Sequence, residues 1–108
     1  MVKPWRLTPL AEGNLADIAV WTVDGFGQAQ AIHYRDALIA RINALAAGVL
    51  PHPRPCSVLM QPRSSISRLT YFREGGHYII MRETDELLEI IGFLHESSNL
   101  PDLLEALS

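Results

Sequence analysis

Three runs of strand-forming residues in the second half of the chain constrain the fold most strongly, because only short breaks separate them. The runs cover residues 67–73, 77–83 and 87–94 and are rich in β-branched, aromatic and other large apolar side chains. Glu74-Gly75-Gly76 lies in the first break and Thr84-Asp85-Glu86 in the second. Breaks of this length suit hairpin connections. The sequence therefore predicts a three-stranded antiparallel meander.

The first half of the chain has the periodicity of two helices. A short β-like run at Trp5-Arg6-Leu7 stops at Thr8-Pro9, where a hydroxyl N-cap and a proline at the first helical position favour a helix start. Apolar residues then recur every three or four positions, which predicts one mostly apolar stripe on each helix. The first stripe holds Ala11, Leu15, Ile18 and Trp21 with Thr22, and the second holds Ala31, Tyr34, Leu38, Ile42 and Leu45.

Glycines mark the ends of both predicted helices. Gly25-Phe26-Gly27 suits a tight connection between antiparallel helices, and Gly48 is a plausible C-terminal stop. Arg35 and Arg41 fall outside the second stripe, so we expect them to point to solvent. A strand, a helical hairpin and a meander predict an α+β fold with the hairpin packed on one face of the sheet. At this length, residues 1–108 are expected to form a single domain.

The third strand-like run is apolar at both phases of its alternation, so both of its faces should be covered. If the helical hairpin covers one face, Leu87, Ile91 and Phe93 are left without a covering layer, and such a patch implies a partner. Residues 100–107 can form a short helix that folds back over the same face. From the sequence alone, these two alternatives stay open.

Residues 49–66 contain four of the seven prolines. Regular structure is not expected there, except at Val58-Leu59-Met60. A loop of this length in a small domain is uncommon and often functional.

Charge and cysteine content restrict the function. Nine Lys and Arg residues against twelve Asp and Glu give a formal net charge of −3, and Lys3 is the only lysine. This is the wrong sign for a protein that gains affinity by neutralising many phosphates, so we expect no direct nucleic-acid binding. A single cysteine, Cys56, excludes an intramolecular disulfide and favours a free loop thiol and a cytoplasmic location.

Membrane spans, metals and cofactors are not expected either. The longest apolar stretch is well short of the roughly 20 residues that a bilayer core requires. The four histidines are far apart in sequence, and neither a CxxC nor an HExxH motif is present. Gly25-x-Gly27 lies between two helices and not after a strand, which is the wrong context for nucleotide binding.

A set of motifs along nearly the whole chain resembles the ParE branch of the ParE/RelE toxins of bacterial toxin–antitoxin pairs. The most specific part is a Gly-x-His hairpin followed about a dozen residues later by an apolar strand that ends in Leu-His. The matching segments are Ala11, Leu15-x-x-Ile18-x-x-Trp21, Gly27-x-x-x-Ala31-x-x-Tyr34-x-x-x-Leu38, Leu45-Ala46, Gly75-x-His77-x-Ile79, Glu89-Ile90-Ile91 and Phe93-Leu94-His95.

The resemblance implies a toxin of a type II toxin–antitoxin system that forms a hetero-oligomer with a ParD-like antitoxin and inhibits DNA gyrase when it is free. Such a protein acts by binding, without cofactor or metal. The antitoxin is expected to contact Trp21 and the strand residues Leu87, Ile91 and Phe93. Arg73 and Arg82 flank this region and could pair with acidic antitoxin side chains.

The alternative is a ribosome-dependent mRNA endoribonuclease of the RelE type. Such an enzyme needs groups that activate a 2′-hydroxyl and stabilise the transition-state phosphate. The candidates are His77, His95, Tyr71, Glu83, Arg73 and Arg82, with His95, Arg73 and Arg82 preferred. The scarcity of lysine and the dispersed arginines make this the second choice. A non-toxic, degenerate binding module is a further alternative.

Overall fold

The computed structural model describes residues 3–49, 51–60 and 69–107. Within them, the elements in chain order are β1 (Trp5–Leu7), α1 (Pro9–Phe26), α2 (Gln28–Ala46), β2 (Arg54–Pro55), a 3₁₀ helix (Cys56–Met60), β3 (Leu69–Glu74), β4 (His77–Glu83), β5 (Leu88–His95) and α3 (Leu100–Leu107). The predicted α+β fold is confirmed. Residues 61–68, which include the start of the first predicted strand and the end of the predicted loop, lie outside the described residues.

The helical hairpin begins and turns where the sequence predicts. Thr8 caps α1, since its Oγ1 accepts a hydrogen bond from the N–H of Ala11 at 3.1 Å and donates one to the carbonyl oxygen of Ile91 at 2.9 Å. Gly27 alone separates α1 from α2, with φ of 93°, a conformation that glycine adopts at little steric cost. Gly48, with φ of 75°, follows the end of α2.

The described strands form one sheet in the order β1-β5-β4-β3-β2. β3, β4 and β5 make the predicted antiparallel meander, and β1 adds to β5 in parallel. The register shifts where Ile80 pairs with Gly92 but Met81 pairs with Ile90, so Ile91 is an extra residue in β5. This bulge resets the alternation of side chains along the strand.

Two cores lie on opposite faces of the sheet. The first packs the helical hairpin on the sheet and contains Ala11, Ile18, Leu38, Ile42, Leu45, Ala46, Ile79, Met81, Leu88, Ile90 and Phe93. The second lies under α3 and the 3₁₀ helix and contains Cys56, Leu69, Tyr71, Ile80, Ile91, Leu94 and Leu104. The apolar character of β5 at both phases is thus explained within the chain.

The predicted exposed patch of Leu87, Ile91 and Phe93 is wrong. Ile91 is 8% exposed in the second core and Phe93 is 4% exposed in the first, because the bulge separates them onto different faces. Leu87 is half-buried and precedes β5. α3 folds over the second face of the sheet, as in the alternative in which residues 100–107 form a short helix that covers it.

Two other expectations also need correction. Arg41 does not point freely to solvent, because its Nε donates to Glu74 Oε1 at 2.8 Å and its guanidinium lies 4.6 Å from the centre of the Phe72 ring. Cys56 is fully buried at the start of the 3₁₀ helix and is not a loop thiol. Just before it, β2 pairs with β3 within a segment expected to be irregular.

Candidate functional site

A cleft of about 410 Å³ opens beside α1, at the end of the sheet where β4 begins and β5 ends. Its lining residues are Asp17, Ile18, Trp21, His77, His95 and Ser97. Because β4 and β5 are antiparallel, their register pairs the first residue of one, His77, with the last residue of the other, His95. The two imidazole rings meet edge to face, with centroids 5.2 Å apart and planes at 81°.

The hydroxyl of Tyr34, on α2, fixes the orientation of His77. It lies 2.7 Å from His77 Nδ1 and donates its single proton to the carbonyl oxygen of Glu74 at 2.9 Å. Nδ1 must then donate to the hydroxyl oxygen, which leaves Nε2 of the neutral ring as an acceptor. His77 is 7% exposed, and this burial, together with the nearby His95, lowers its pKa.

His95 has the opposite arrangement of donor and acceptor. Its Nδ1 accepts a hydrogen bond from the backbone N–H of Ser97 at 3.1 Å and lies 2.6 Å from the Ser97 hydroxyl. The proton of the neutral ring is therefore on Nε2. In their neutral forms the two rings therefore differ, with a lone pair on Nε2 of His77 and a proton on Nε2 of His95.

An apolar patch on the C-terminal half of α1 adjoins the cleft. It consists of Val20, Trp21, Val23 and Phe26, which are 62%, 59%, 43% and 65% exposed. The Trp21 ring lies 5.7 Å from that of Phe26 and 6.4 Å from that of His95, so this α1 patch continues into the cleft. Four large apolar side chains exposed together on one helix are typical of a surface that binds another macromolecule.

The preferred ribonuclease residues do not form one site. Arg73 is ion-paired with Glu96 near the cleft, and its Nε donates to the carbonyl oxygen of Gly75 at 3.3 Å. Arg82 lies near the other end of β4, about 16 Å from His77 along the strand at the usual rise per residue, and its Nη1 is 3.8 Å from Glu89 Oε1. The structure therefore brings Arg73 towards His95 but not Arg82.

The sequence of the chain matches the family model for the ParE toxin of the type II toxin–antitoxin system parDE over residues 5–100. The chain belongs to the ParE toxin family. It is also similar to a solved structure, the chromosomal ParDE toxin–antitoxin system from P. aeruginosa, with a TM-score of 0.68 and 11% identity over 87% of this chain and 96% of that one. At that identity the likeness shows the fold alone. No curated protein matches the sequence.

In this ParE-family chain, the residues predicted from the sequence include only part of the candidate site, the cleft and the adjoining α1 patch. Trp21 lines the cleft, but Leu87, Ile91 and Phe93 do not. Val20, Val23 and Phe26 were missed, although they are apolar residues outside the predicted buried stripe of α1, which is a signal available in the sequence.

No group of three or more His, Cys, Asp or Glu among the described residues is placed to hold a metal ion. Nor is any helix in the described ranges long and apolar enough to cross a membrane.

Proposed function

We propose that this ParE-family chain is held inactive in a hetero-oligomer with a ParD-like antitoxin and that the free chain inhibits DNA gyrase in the cytoplasm. It acts by occupying its target, without covalent chemistry of its own. The observation that carries the proposal is the exposed α1 patch, in which Trp21 and Phe26 contact each other and more than half of each side chain faces solvent. Large aromatic side chains are the residues that most often dominate binding energy in protein interfaces.

The charges around the cleft support binding over nucleic-acid chemistry. None of the described residues that line the cleft is Lys or Arg, and Asp17 places a carboxylate in the lining. Arg73, the arginine identified near it, is already ion-paired with Glu96. A site that cleaves RNA must stabilise extra negative charge on a phosphate in the transition state. A carboxylate in the lining works against that requirement.

One observation favours a second candidate, cleavage of mRNA at the ribosome. His77 and His95 are adjacent, and burial lowers the pKa of His77, which keeps this imidazole in the basic form that a general base requires. On this alternative, the ribosome would supply the cationic groups that the cleft does not contain. Replacing both histidines would then abolish activity without affecting antitoxin binding.

A parallel assay tests the proposal. The free chain is incubated with gyrase, relaxed plasmid and ATP, and separately with translating ribosomes and an mRNA. Loss of supercoiling or trapped gyrase–DNA cleavage complexes, with intact mRNA, is the expected result. The His77→Asn/His95→Asn double variant is the matched control and should inhibit gyrase as the parent does. Cut mRNA with unaffected gyrase would establish the ribonuclease, and inactivity in both assays would indicate a non-toxic binding module.

A further inference from the structure

Within the described residues, the carboxylates of α1 have no ion-pair or hydrogen-bond partner, unlike those in the sheet and directly after it. Glu74, Glu83, Glu89 and Glu96 each form an ion pair with a Lys or Arg side chain. Glu12, Asp17 and Asp24 are exposed on α1, and none of them has an ion pair or hydrogen bond within the described residues. No Lys or Arg occurs between Arg6 and Arg35, so the sequence supplies no neighbouring cation to the helix.

Two of these carboxylates lie on the same side of α1 as Val20 and Trp21 of the α1 patch. Asp17, Val20, Trp21 and Asp24 have the spacing i, i+3, i+4 and i+7, which places them on one face of a helix. Glu12 is nine residues before Trp21, which at about 100° per residue places it on the opposite side of α1. One helix face thus combines exposed apolar side chains with two negative charges that no described residue compensates.

We infer that this face of α1 binds a cationic amphipathic segment of the antitoxin, in which bulky apolar side chains cover Val20 and Trp21 while Lys or Arg side chains pair with Asp17 and Asp24. The inference rests on the proposed function, since it specifies the partner already assigned there. Burial of Val20 and Trp21 supplies the affinity, and complementary charge sets orientation and the rate of association. A segment with acidic side chains at those places would be repelled.

A second copy of this chain fits the same face poorly. Symmetric dimers place the same patch of both subunits against each other. Asp17 and Asp24 would then meet like charges, and no Lys or Arg of α1 could compensate them. Juxtaposed like charges destabilise an interface, so the charge on this face favours a basic partner over self-association.

The test uses the full chain and the antitoxin encoded by the neighbouring reading frame. Affinity is measured by calorimetry or surface binding at several salt concentrations, for the parent, for Asp17→Asn/Asp24→Asn and for the control Glu12→Gln. Two ion pairs at the edge of an interface correspond to a change of about five- to thirtyfold in Kd. For the double variant, we expect a loss of affinity of that size and a Kd that depends less on salt concentration. Glu12→Gln should bind with the parental Kd and salt dependence.

A charge exchange makes the test specific. Asp17→Lys/Asp24→Lys should bind the parental antitoxin more weakly still, and should regain affinity when the contacting Lys and Arg residues of the antitoxin are changed to Glu. A complex that forms with unchanged affinity in Asp17→Asn/Asp24→Asn would overturn this inference and leave the proposed function standing. Loss of gyrase inhibition with unchanged antitoxin affinity would assign the face to the target and also overturn it. Failure of the parent to form any complex would overturn both.

Discussion

The ring of Tyr34 occupies the space into which a side chain on Gly75 would project. A Cβ atom built on Gly75 would lie 2.7 Å from Tyr34 Cε1 and 2.9 Å from its hydroxyl oxygen. Gly75 also has φ of 60°, a conformation that other residues seldom adopt. The turn between β3 and β4 can therefore approach α2 closely, and this approach brings Tyr34 within hydrogen-bonding distance of His77.

Replacing Gly75 by alanine should destabilise the chain. The new methyl group collides with Tyr34 and the backbone conformation becomes strained, for an expected loss of about 1–3 kcal/mol in the free energy of unfolding. Gly13→Ala is the control, since Gly13 lies within α1 with open space around it. This variant should raise the free energy of unfolding by about 0.5–1 kcal/mol. Urea unfolding of both variants measures the two values, and equal effects would contradict the assigned role of Gly75.

The Tyr34 hydroxyl should contribute measurably to stability. Tyr34→Phe removes the hydrogen bond to the Glu74 carbonyl oxygen and leaves Nδ1 of the buried His77 without its partner. The expected decrease in the free energy of unfolding is about 1–3 kcal/mol. Tyr78→Phe is the matched control, because the half-buried Tyr78 makes no hydrogen bond through its hydroxyl within the described part of the chain. Chemical denaturation that shows no difference between the two variants would exclude the assigned role of the Tyr34–His77 bond.

The stability of the chain should fall on mild acidification. The folded state lowers the pKa of His77 below 6.5, chiefly by burial, so below about pH 6.5 the unfolded chain binds a proton that the folded chain resists. The contribution of His77 is therefore fully present above this pH and is lost as the pH falls through its folded pKa. His95 and Glu96 also face His77 and modulate the effect.

His77→Asn isolates this effect, because an asparagine amide can keep the donor to Tyr34 but does not titrate. The free energy of unfolding is measured between pH 8 and pH 5 for the parent and the variant. We expect the free energy of unfolding of His77→Asn to decrease less than that of the parent as the pH falls. Parallel curves would show that other groups control the acid response.

Cys56 should resist thiol reagents in the folded chain. It is fully buried, and the desolvation of its thiolate raises the pKa to about 12, so almost no reactive thiolate exists near pH 8. A maleimide should label the native chain far more slowly than the chain in denaturant. Rapid native labelling would show that α3 and the 3₁₀ helix open readily.

Trp21→Ala should separate binding from stability. More than half of the Trp21 side chain is exposed, so the change in unfolding free energy should stay within about 0.5 kcal/mol. Loss of a central aromatic anchor should weaken antitoxin binding by about thirtyfold or more. Val58→Ala, at a 42%-exposed position on the 3₁₀ helix, is the control and should bind as the parent does.

β2 was not predicted, but the order of the other strands and of α1, α2 and α3 followed from local patterns, because caps, glycines and apolar periodicity act over a few residues. The faces of β5 did not, since the extra residue Ile91 is defined only by pairing with β4, and a one-residue shift exchanges the two faces of a strand. The environment of Arg41 likewise depends on Phe72 and Glu74, some thirty residues away. Contacts of this kind are set by tertiary structure and leave no local signal.

The exposure of Trp21 shows a related limit of prediction from sequence periodicity. Trp21 and Thr22 are neighbours in sequence, and the predicted stripe included both. About 100° of rotation separates them on the helix. Thr22 is the buried residue of the two, and its hydroxyl donates a hydrogen bond to the carbonyl oxygen of Ile18 at 2.7 Å. Trp21 faces the cleft. Periodicity predicts the buried side of a helix but not which residue at its margin faces solvent.

The parallel pairing of β1 with β5 has a consequence for synthesis of the protein. Arg6 and Glu89 are ion-paired although 83 positions separate them in the chain. On the ribosome, β1 emerges before β5 and stays unpaired with it until the intervening residues 8–87 have been translated. The described sheet is therefore completed only after β5 has been made, so β1 is the strand that is synthesised before the others and that has the longest interval before it can pair.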